Sequence, residues 1–300
     1  MLTATQFRIT SRLMHVMPEI PFSEYVLNVN ECVAFLRNTL PFMPKTVIQL
    51  GTGLGDFVKE IDVESVLPYS EIPHFPASTV ESHQGNLVLG RLNGEPVAVL
   101  QGRFHFYEGY STKEVTFPIR VLSLLGAKLL LVTNAAGGLN PIIAPGSIMA
   151  IRDHLNFLGE NPLRGPNNDE WGPRFPDLSV PYHPGLIKTA LDCASKCGLK
   201  NVISGTYVCI PGPSLETPAE TRFLRDSGAD AVGMSSVPEV LVARHAGMEV
   251  LGLSVVSNVN DPDNFQPILL EDILETAARV TPQLQRLIAK IVGNLNTVRI

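Results

Sequence analysis

The sequence predicts a single α/β domain in which a central mixed β-sheet is flanked by helices. Short runs rich in Val, Ile and Leu alternate with helical runs along the whole chain, and no long linker rich in Gly, Ser or Pro divides them. The 300 residues are 45% hydrophobic and 17% charged, which is enough apolar material for one large core. We therefore assign residues 23–300 to one domain and residues 1–22 to an N-terminal arm.

Seven segments are expected to form strands, because they are rich in apolar residues and several lack the polar alternation of a half-exposed strand. They are Thr46–Leu50, Leu87–Leu92, Pro96–Gln101, Lys128–Thr133, Ser147–Arg152, Asn201–Ile210 and Glu249–Ser257. Continuous apolar runs of this kind are typical of strands that helices cover on both faces.

Helices are expected between these strands, at Glu24–Leu40, Thr112–Gly126, Gly185–Cys197, Pro218–Ser227, Val237–His245 and Leu270–Leu295. Two helix starts carry capping signals, in which Glu follows Ser or Thr by three residues and Pro stands near the start. Thr217 and Glu220 form one predicted capping box, and Ser236 and Glu239 form the other. Both starts follow runs of small residues, where an open α/β sheet commonly binds its ligands.

Composition excludes several functional classes. The 23 Lys and Arg against 29 Asp and Glu give a net charge of −6, so binding to a nucleic-acid polymer is not expected. No apolar run reaches the ~18 residues of a membrane span, so we expect a cytoplasmic protein with no membrane partner. No metal site is expected, because zinc-site spacing is absent from the four cysteines, Cys32, Cys193, Cys197 and Cys209.

The first candidate for chemistry is the glycine-rich turn Gly51–Gly55, directly after an apolar strand. Residue 56 is Asp where a dinucleotide fingerprint has its third Gly, and no Lys follows as it does in a Walker loop. The backbone N–H groups and the Thr52 hydroxyl are suited to cradle one phosphate. A tight turn without any ligand explains the pattern equally well.

The second candidate is the segment Gly102–Gly109, which follows another predicted strand. If this segment is extended, Arg103, His105 and Tyr107 share one face, because side chains alternate along a strand. The guanidinium suits bidentate binding of phosphate or carboxylate. Glu108 would either fix the tautomer of His105 or raise its pKa and make it a cationic phosphate ligand. A solvent-facing strand edge is the alternative.

Further polar residues stand at predicted strand ends. Asn134 begins a run of two Ala and two Gly, which leaves backbone N–H groups open to a ligand. Ser235 adds a hydroxyl to the anion site, while Glu216 and Asn258 are suited to read a planar amide. Neither a GxSxG elbow nor a metal cluster is apparent, so these groups favour a reaction driven by positioning and electrostatics.

Seven longer motifs extend these candidates: GTGLG at 51–55, SHQGNL at 82–87, GRFHFYEGY at 102–110, TNAAGGLNP at 133–141, NPLRGPN at 161–167, GPSLET at 212–217 and GADAVGMSSVPEVLVARH at 228–245. Together they resemble the purine nucleoside phosphorylases, specifically the trimeric type that prefers 6-oxopurines, within the family that also contains the methylthioadenosine phosphorylases. The resemblance runs from about Thr46 to Val280.

This resemblance implies reversible phosphorolysis of inosine and guanosine, and of their 2′-deoxy forms, to free base and (deoxy)ribose 1-phosphate in purine salvage. Inorganic phosphate would be a co-substrate, and no cofactor is expected. The implied partners are the purine nucleoside, phosphate and further copies of the chain in a homotrimer.

The resemblance also assigns roles to individual residues. Phosphate would be bound by Thr52, His83, Arg103, His105, Ala136 and Ser235. Ribose would lie against Tyr107, Met234 and Tyr207, and against an aromatic residue from the neighbouring subunit, for which Phe157 is the candidate. The base would contact Glu216, Asn258, Leu215 and Val232, with Asn258, Glu216 and His105 as the catalytic residues.

One departure from the family pattern bears on the substrate. Leu270 stands where many members have a His that bonds the ribose 5′-hydroxyl, and an apolar side chain there favours a 5′-deoxy or 5′-methylthio group. The alternative is therefore a 5′-methylthioadenosine or 5′-methylthioinosine phosphorylase. Glu216 favours 6-oxopurines, because their N1–H can donate to a carboxylate whereas adenine presents a lone pair. An inactive storage or binding relative and a hydrolase are further alternatives.

Overall fold

Nine strands form one mixed sheet within residues 21–51, 53–77 and 84–298, the ranges that the computed structural model describes. In chain order the strands are Thr46–Gln49 (β1), Asp62–Pro68 (β2), Asn86–Leu92 (β3), Glu95–Gln101 (β4), Leu129–Gly138 (β5), Ile148–Asn156 (β6), Val202–Cys209 (β7), Ala231–Gly233 (β8) and Glu249–Val259 (β9). The helices of these ranges are Phe22–Thr39 (α1), Thr112–Val115 (α2), Phe117–Leu124 (α3), Pro184–Lys196 (α4), Pro218–Asp226 (α5), Val237–His245 (α6) and Leu270–Val292 (α7). The predicted α/β fold with a mixed sheet is confirmed.

The sheet closes on itself around β5. The spatial order is β2-β3-β4-β1-β5-β8-β7-β6-β9, and β9 returns to pair with β5. β5 pairs with β1 only over Leu129–Val132, because β1 ends at Gln49, whereas its pairing with β9 continues to Gly138. Beyond Val132, β5 no longer pairs with β1, and at Gly137 and Gly138 it pairs with β8 instead. Such a change of neighbouring strand is a switch point, where α/β sheets bind ligands.

Two apolar cores cover the two faces of the sheet. Along β5, Leu130 and Val132 face one core, while Leu129 and Leu131 face the other. The first core includes buried residues of α1, α3 and α6, and the second includes buried residues of α4 and α7. Burial on both faces explains why the first four residues of β5, Leu129–Val132, are a continuous apolar run without polar alternation.

The structure differs from the sequence expectations in three respects: two strands were not expected, two strands are longer than expected, and one expected helix is divided. β2 was not predicted, because it is an edge strand whose side chains are largely exposed and partly charged, and β8 has only three residues. β5 and β9 continue past their predicted ends through small and polar residues. The predicted helix Thr112–Gly126 is two helices, since Pro118 has no N–H to donate to the carbonyl of Glu114.

One of the two predicted capping boxes is correct. Thr217 accepts from the Glu220 N–H at 3.2 Å, and the Glu220 carboxylate accepts from the Thr217 N–H at 2.8 Å. Ser236 instead adopts φ +71° and makes no side-chain cap, and Glu239 is buried. The second box is absent because the Ser236 hydroxyl accepts hydrogen bonds from residues of the site described below.

None of the helices in these ranges combines the length and the apolar composition that crossing a bilayer requires. Residues 1–20, which make up most of the predicted N-terminal arm, lie outside the described residues.

Truncating Leu36 should destabilise the fold, because this α1 side chain is fully buried in the first core. We expect Leu36→Ala to lower the free energy of unfolding by about 2–5 kcal/mol. The matched control is Leu27→Ala on the same helix, where the side chain is 67% exposed and the expected change is within about 0.5 kcal/mol. Urea unfolding measures both, and equal effects would contradict the assignment of α1 to the core.

Candidate active site

A cavity of about 490 Å³ lies beside the ends of β5, β8 and β9, where β5 exchanges neighbours. Its walls include eight of the residues that sequence reasoning selected: His105, Tyr107, Ala136, Leu215, Glu216, Val232, Met234 and Asn258. Leu270 also lines it. The cavity is mostly apolar with polar groups at two ends, which is the usual composition of a small-molecule site.

The guanidinium of Arg103 organises the polar groups at one end of the cavity. This side chain is buried and is not itself part of the cavity lining. One guanidinium nitrogen, Nη1, donates to the hydroxyls of Ser235 at 2.6 Å and Ser236 at 3.1 Å. The other, Nη2, donates to the carbonyl of Thr133 at 2.6 Å. These bonds fix the positive charge at the start of the loop between β8 and α6, next to the cavity.

The segment after Gly102 is not extended, which differs from the expectation that Arg103, His105 and Tyr107 share one face. Gly102 adopts φ +122°, and Phe106–Glu108 form a 3₁₀ turn. Arg103 therefore points into the interior, while the rings of His105 and Tyr107 stack at a centroid distance of 4.6 Å on the cavity wall.

His105 is held by the carboxylate of Glu108. Oε1 of Glu108 lies 2.7 Å from Nδ1 of His105 and also accepts from its backbone N–H at 2.8 Å. Burial, and then the nearby charge of Arg103, lower the pKa of His105 to about 4, although Glu108 opposes the shift. The imidazole is therefore neutral at neutral pH, with its proton on Nδ1 facing Glu108 and Nε2 as an acceptor. Of the two roles considered for Glu108, the structure favours fixing the tautomer.

The opposite end of the cavity carries a directional chain of hydrogen bonds. Asn260 donates from Nδ2 to Oε2 of Glu216 at 3.1 Å, and its own Oδ1 accepts from Nδ2 of Asn258. Oδ1 of Asn258 accepts from the hydroxyl of Ser257 at 2.8 Å. Since a carboxylate accepts only, this chain fixes the orientation of both amides. Burial raises the pKa of Glu216, and the bond from Asn260 opposes that shift.

Residues 45–293 match the model of the phosphorylase superfamily. Purine nucleoside phosphorylase 1 of Geobacillus stearothermophilus is 49% identical over 267 residues, which cover 89% of this chain and 97% of the relative. The purine nucleoside phosphorylase of Mus musculus is 45% identical over 260 residues, which cover 85% and 90%. The chain belongs to the purine nucleoside phosphorylases of the phosphorylase superfamily.

Solved structures of this family share the fold of the phosphorylase described here. A schistosoma purine nucleoside phosphorylase in complex with hypoxanthine is 40% identical, with a TM-score of 0.86 and coverage of 90% of this chain and 98% of that chain. A schistosoma purine nucleoside phosphorylase in complex with guanosine is 39% identical and has a TM-score of 0.84. The resemblance inferred from the sequence motifs is therefore confirmed at the level of family, fold and enzyme class.

Two residues assigned to ribose in this phosphorylase do not line the cavity. Tyr207 is fully buried, and its hydroxyl accepts from the backbone N–H of Ser235 at 3.4 Å, so it positions the loop that Arg103 also holds. Phe157 is 40% exposed and stacks on Phe223 beside a neighbouring hollow of about 290 Å³. Its expected contact with the site of another subunit stays a prediction.

Thr52 and His83 of the phosphorylase lie outside the described residues, but the turn before Thr52 is defined. The N–H of Gly51 donates to the hydroxyl of Thr133 at 3.0 Å. A Cβ at Gly51 would lie 2.7 Å from the Thr133 carbonyl oxygen, which is the acceptor of Arg103, so only Gly allows this approach. The glycine-rich turn therefore packs on the same strand residue that anchors Arg103.

Sequence reasoning did not select Asn260 as a site residue of the phosphorylase, although it bonds both Glu216 and Asn258. The spacing of two residues was the available signal, because Asn258 and Asn260 then lie on one side of an extended segment. What concealed the role is the turn-like composition of the stretch 258–264, which is rich in Asn, Asp and Pro.

The lowered pKa of His105 should make the stability of the phosphate-free enzyme depend on pH. The unfolded imidazole binds a proton near pH 6.5, whereas the folded one binds it only near pH 4. Stability is therefore lost as the pH falls from about 6.5 to about 4. We expect His105→Gln to flatten this slope by up to about 1.4 kcal/mol per pH unit. Tyr107→Phe keeps the imidazole and serves as the control, and an unchanged slope in His105→Gln would contradict the assignment.

Proposed function

We propose that this enzyme catalyses the reversible phosphorolysis of 6-oxopurine ribonucleosides and 2′-deoxyribonucleosides, giving the free base and (deoxy)ribose 1-phosphate. The observation that carries the proposal is the Glu216 carboxylate on the cavity wall, with Asn260 donating to it. A carboxylate held in this way is an acceptor for N1–H of hypoxanthine or guanine. Adenine presents a lone pair at N1 and would offer the buried carboxylate no donor from the base.

The purine preference is consistent with ligands of the structural relatives. The schistosoma purine nucleoside phosphorylase structures contain hypoxanthine and guanosine, and one contains adenosine. Because the adenosine complex shows that binding alone does not rank the bases in that relative, relative turnover of the nucleosides is the decisive quantity for this chain.

Inorganic phosphate is the proposed second substrate, and we propose that no cofactor takes part. Arg103 places a fixed positive charge beneath Ser235, which is the environment that a phosphate dianion requires. The end of β5 at Ala136 lines the same cavity, and His105 presents Nε2 from the stacked pair with Tyr107. An acceptor at Nε2 suits the hydroxyl of monohydrogen phosphate or of the sugar.

The proposed reaction breaks the bond between C1′ and the base nitrogen and forms a bond between C1′ and a phosphate oxygen. The bond to the base loosens first, so positive charge develops on the sugar and negative charge on the departing purine. An N–H of Asn258 would donate to the purine as that charge grows, and the hydrogen bonds from Asn258 to Asn260 and from Ser257 hold the amide in place for this role. No covalent protein intermediate is needed.

We also propose that the enzyme is a cytoplasmic homotrimer in which Phe157 closes the sugar site of the neighbouring subunit. The support is the resemblance of the motifs to the trimeric type and the exposure of Phe157 and Phe223. A pair of exposed aromatic rings is a common feature of a protein–protein contact.

A second candidate activity is phosphorolysis of 5′-methylthio nucleosides. Three aliphatic side chains, those of Ile268, Leu270 and Ile273, line one part of the cavity. None of them can hydrogen-bond a 5′-hydroxyl, and an apolar wall stabilises a methylthio group by burying it. Glu216 still favours a 6-oxopurine base, so 5′-methylthioinosine fits both features.

The test compares inosine, guanosine, adenosine, 5′-methylthioadenosine and 5′-methylthioinosine side by side, with and without phosphate. We expect phosphate-dependent release of hypoxanthine and guanine with ribose 1-phosphate as the sugar product, and kcat/KM for adenosine at least about a hundredfold lower than for inosine. A preference for adenosine-type substrates would contradict the role of Glu216. Release of free ribose would indicate a hydrolase.

Replacing Leu270 tests the second candidate. We expect Leu270→His to raise the ratio of kcat/KM for inosine to that for 5′-methylthioinosine about fivefold, because one added hydrogen bond to the 5′-hydroxyl contributes about 1 kcal/mol. Ile273→Val, which keeps the wall apolar, is the control and should leave the ratio within about threefold. An unchanged ratio in Leu270→His would place the 5′-group elsewhere.

A further inference from the structure

Asn260 lies between the two residues that are proposed to contact the base, Glu216 and Asn258. The residue is only 4% exposed, and it lines the active-site cavity. Its backbone N–H donates to the carbonyl of Gly138 at 2.8 Å, and its own carbonyl accepts from Nη2 of Arg225 at 2.9 Å. Because the fold holds both backbone groups, only rotation about the side-chain bonds of Asn260 can change the groups that it presents.

The direction of the Asn260 amide depends on the carboxylate beside it. Nδ2 of Asn260 donates to Oε2 of Glu216 at 3.1 Å, and Oδ1 of Asn260 accepts from Nδ2 of Asn258. Turning this amide around would set two acceptors against each other at Glu216 and two donors against each other at Asn258. The ionised carboxylate of Glu216 therefore holds Asn260 in one orientation.

The hydroxyl of Ser257, on the other side of Asn258, can accommodate either orientation of the Asn258 amide. It lies 2.8 Å from Oδ1 of Asn258 and 3.2 Å from the carbonyl oxygen of Ala136. A hydroxyl has one proton and two lone pairs, so it can donate to Asn258, or it can donate to Ala136 and accept from Asn258. Ser257 therefore does not decide which way Asn258 faces, whereas Asn260 does.

The orientation of Asn258 affects the base because an amide is a donor on one side and an acceptor on the other. Nδ2 of Asn258 has two N–H groups, of which Asn260 uses one, so the second remains for the purine. Rotating the amide by about 180° would put Oδ1 in the place of this nitrogen. A 6-oxo group accepts a hydrogen bond and a 6-amino group donates one, so the two orientations favour different purines.

The charge state of Glu216 depends on groups from several elements. Burial raises the pKa of this carboxyl group, and its own backbone N–H opposes the shift. The charge of Glu220 on α5 raises the pKa, while the hydrogen bond from Asn260, just after β9, lowers it. Within the described residues, the other titratable side chains of the cavity wall are His105 and Tyr107, and both are neutral at neutral pH. Loss of the Asn260 donor would therefore favour the protonated form of Glu216.

We propose that Asn260 is the positioning residue that makes the base site selective for 6-oxopurines, because it occupies Oε2 of Glu216 and turns an N–H of Asn258 toward the base. The inference rests on the function proposed above. Without Asn260, the amide of Asn258 would be free to accept from a 6-amino group, and a protonated Glu216 would donate to N1 of the same base. Asn260 therefore opposes 6-aminopurines in two ways.

Replacing Asn260 tests this inference through the ratio of kcat/KM for inosine to that for adenosine. Asn260→Leu keeps the approximate volume and removes both hydrogen bonds, so we expect the ratio to fall by at least about fivefold, the equivalent of one hydrogen bond. General damage to the fold would lower both activities and leave the ratio unchanged. The matched control is Asn264→Leu, at an exposed Asn whose side chain bonds Gln266, and it should keep the ratio within about twofold.

The outcomes separate this inference from the proposed function. If the unmodified enzyme does not prefer inosine to adenosine, the proposed function fails and this inference fails with it. If the unmodified enzyme prefers inosine and Asn260→Leu keeps the same ratio, only this inference fails.

Asn260→Asp is a second variant with a different readout, the pH profile of kcat/KM for inosine. The new carboxylate still accepts from Asn258, but it replaces the donor to Glu216 by a second negative charge, and adjacent carboxylates resist ionising together. We expect the acidic limb of the profile to move to higher pH by at least about one unit, and Asn260→Leu to move it in the same direction. Phosphate titrates identically in all three proteins, so profiles that superimpose would overturn the inference.

Neutron diffraction on the unmodified enzyme decides the question if the variants do not fold. In deuterated crystals with hypoxanthine, we expect deuterium on Nδ2 of Asn260 directed at Oε2 of Glu216, and deuterium on Nδ2 of Asn258 directed at Oδ1 of Asn260. An Asn260 amide in the opposite orientation, or deuterium on Oε2 of Glu216, would overturn the inference.

Discussion

The buried guanidinium of Arg103 is the interaction on which the active site depends. It donates to hydroxyls of Ser235 and Ser236 and to the carbonyl of Thr133, which joins β5 to the loop before α6. Glu239 lies 3.9 Å from the same guanidinium and is almost fully buried, so the two charges partly compensate each other. Burial raises the pKa of Glu239, and Arg103 opposes the shift. The hydrogen bonds to Ser235, Ser236 and Thr133 therefore hold this cation in one position.

This arrangement also explains the strained backbone at Ser236. A non-glycine residue at φ +71° costs about 1–3 kcal/mol, which the surrounding contacts must offset. The hydroxyl of Ser236 accepts from both Arg103 and Asn134, so two buried donors hold the residue in this conformation. The helix that follows, α6, thereby begins close to the cavity, without a side-chain cap of its own.

The two ends of the cavity differ in the kind of interaction that their side chains make. At one end Arg103 is a permanent cation, whereas burial keeps His105 neutral. At the other end the hydrogen bonds have a fixed direction, since the carboxylate of Glu216 orients Asn260, which in turn orients Asn258. A carboxylate in place of either amide would set two negative charges side by side.

The sequence by itself determined the elements that local chemistry controls. The apolar runs of β1, β4 and β5, the Thr217 capping box and the motifs around Arg103, Glu216 and Asn258 were all readable, because each depends on residues close in sequence. The family followed from those motifs.

Only the tertiary structure decided the rest. The edge strand β2 and the short β8 exist because of neighbouring strands, and their own residues carry little signal. The capping role expected of Ser236 is replaced by hydrogen bonds from residues more than a hundred positions away. The protonation of His105 likewise depends on burial and on Arg103, since Glu108 alone would favour the opposite charge state. Long-range packing decided these features because hydrogen bonds and desolvation act on whatever groups the fold brings together, at any sequence separation.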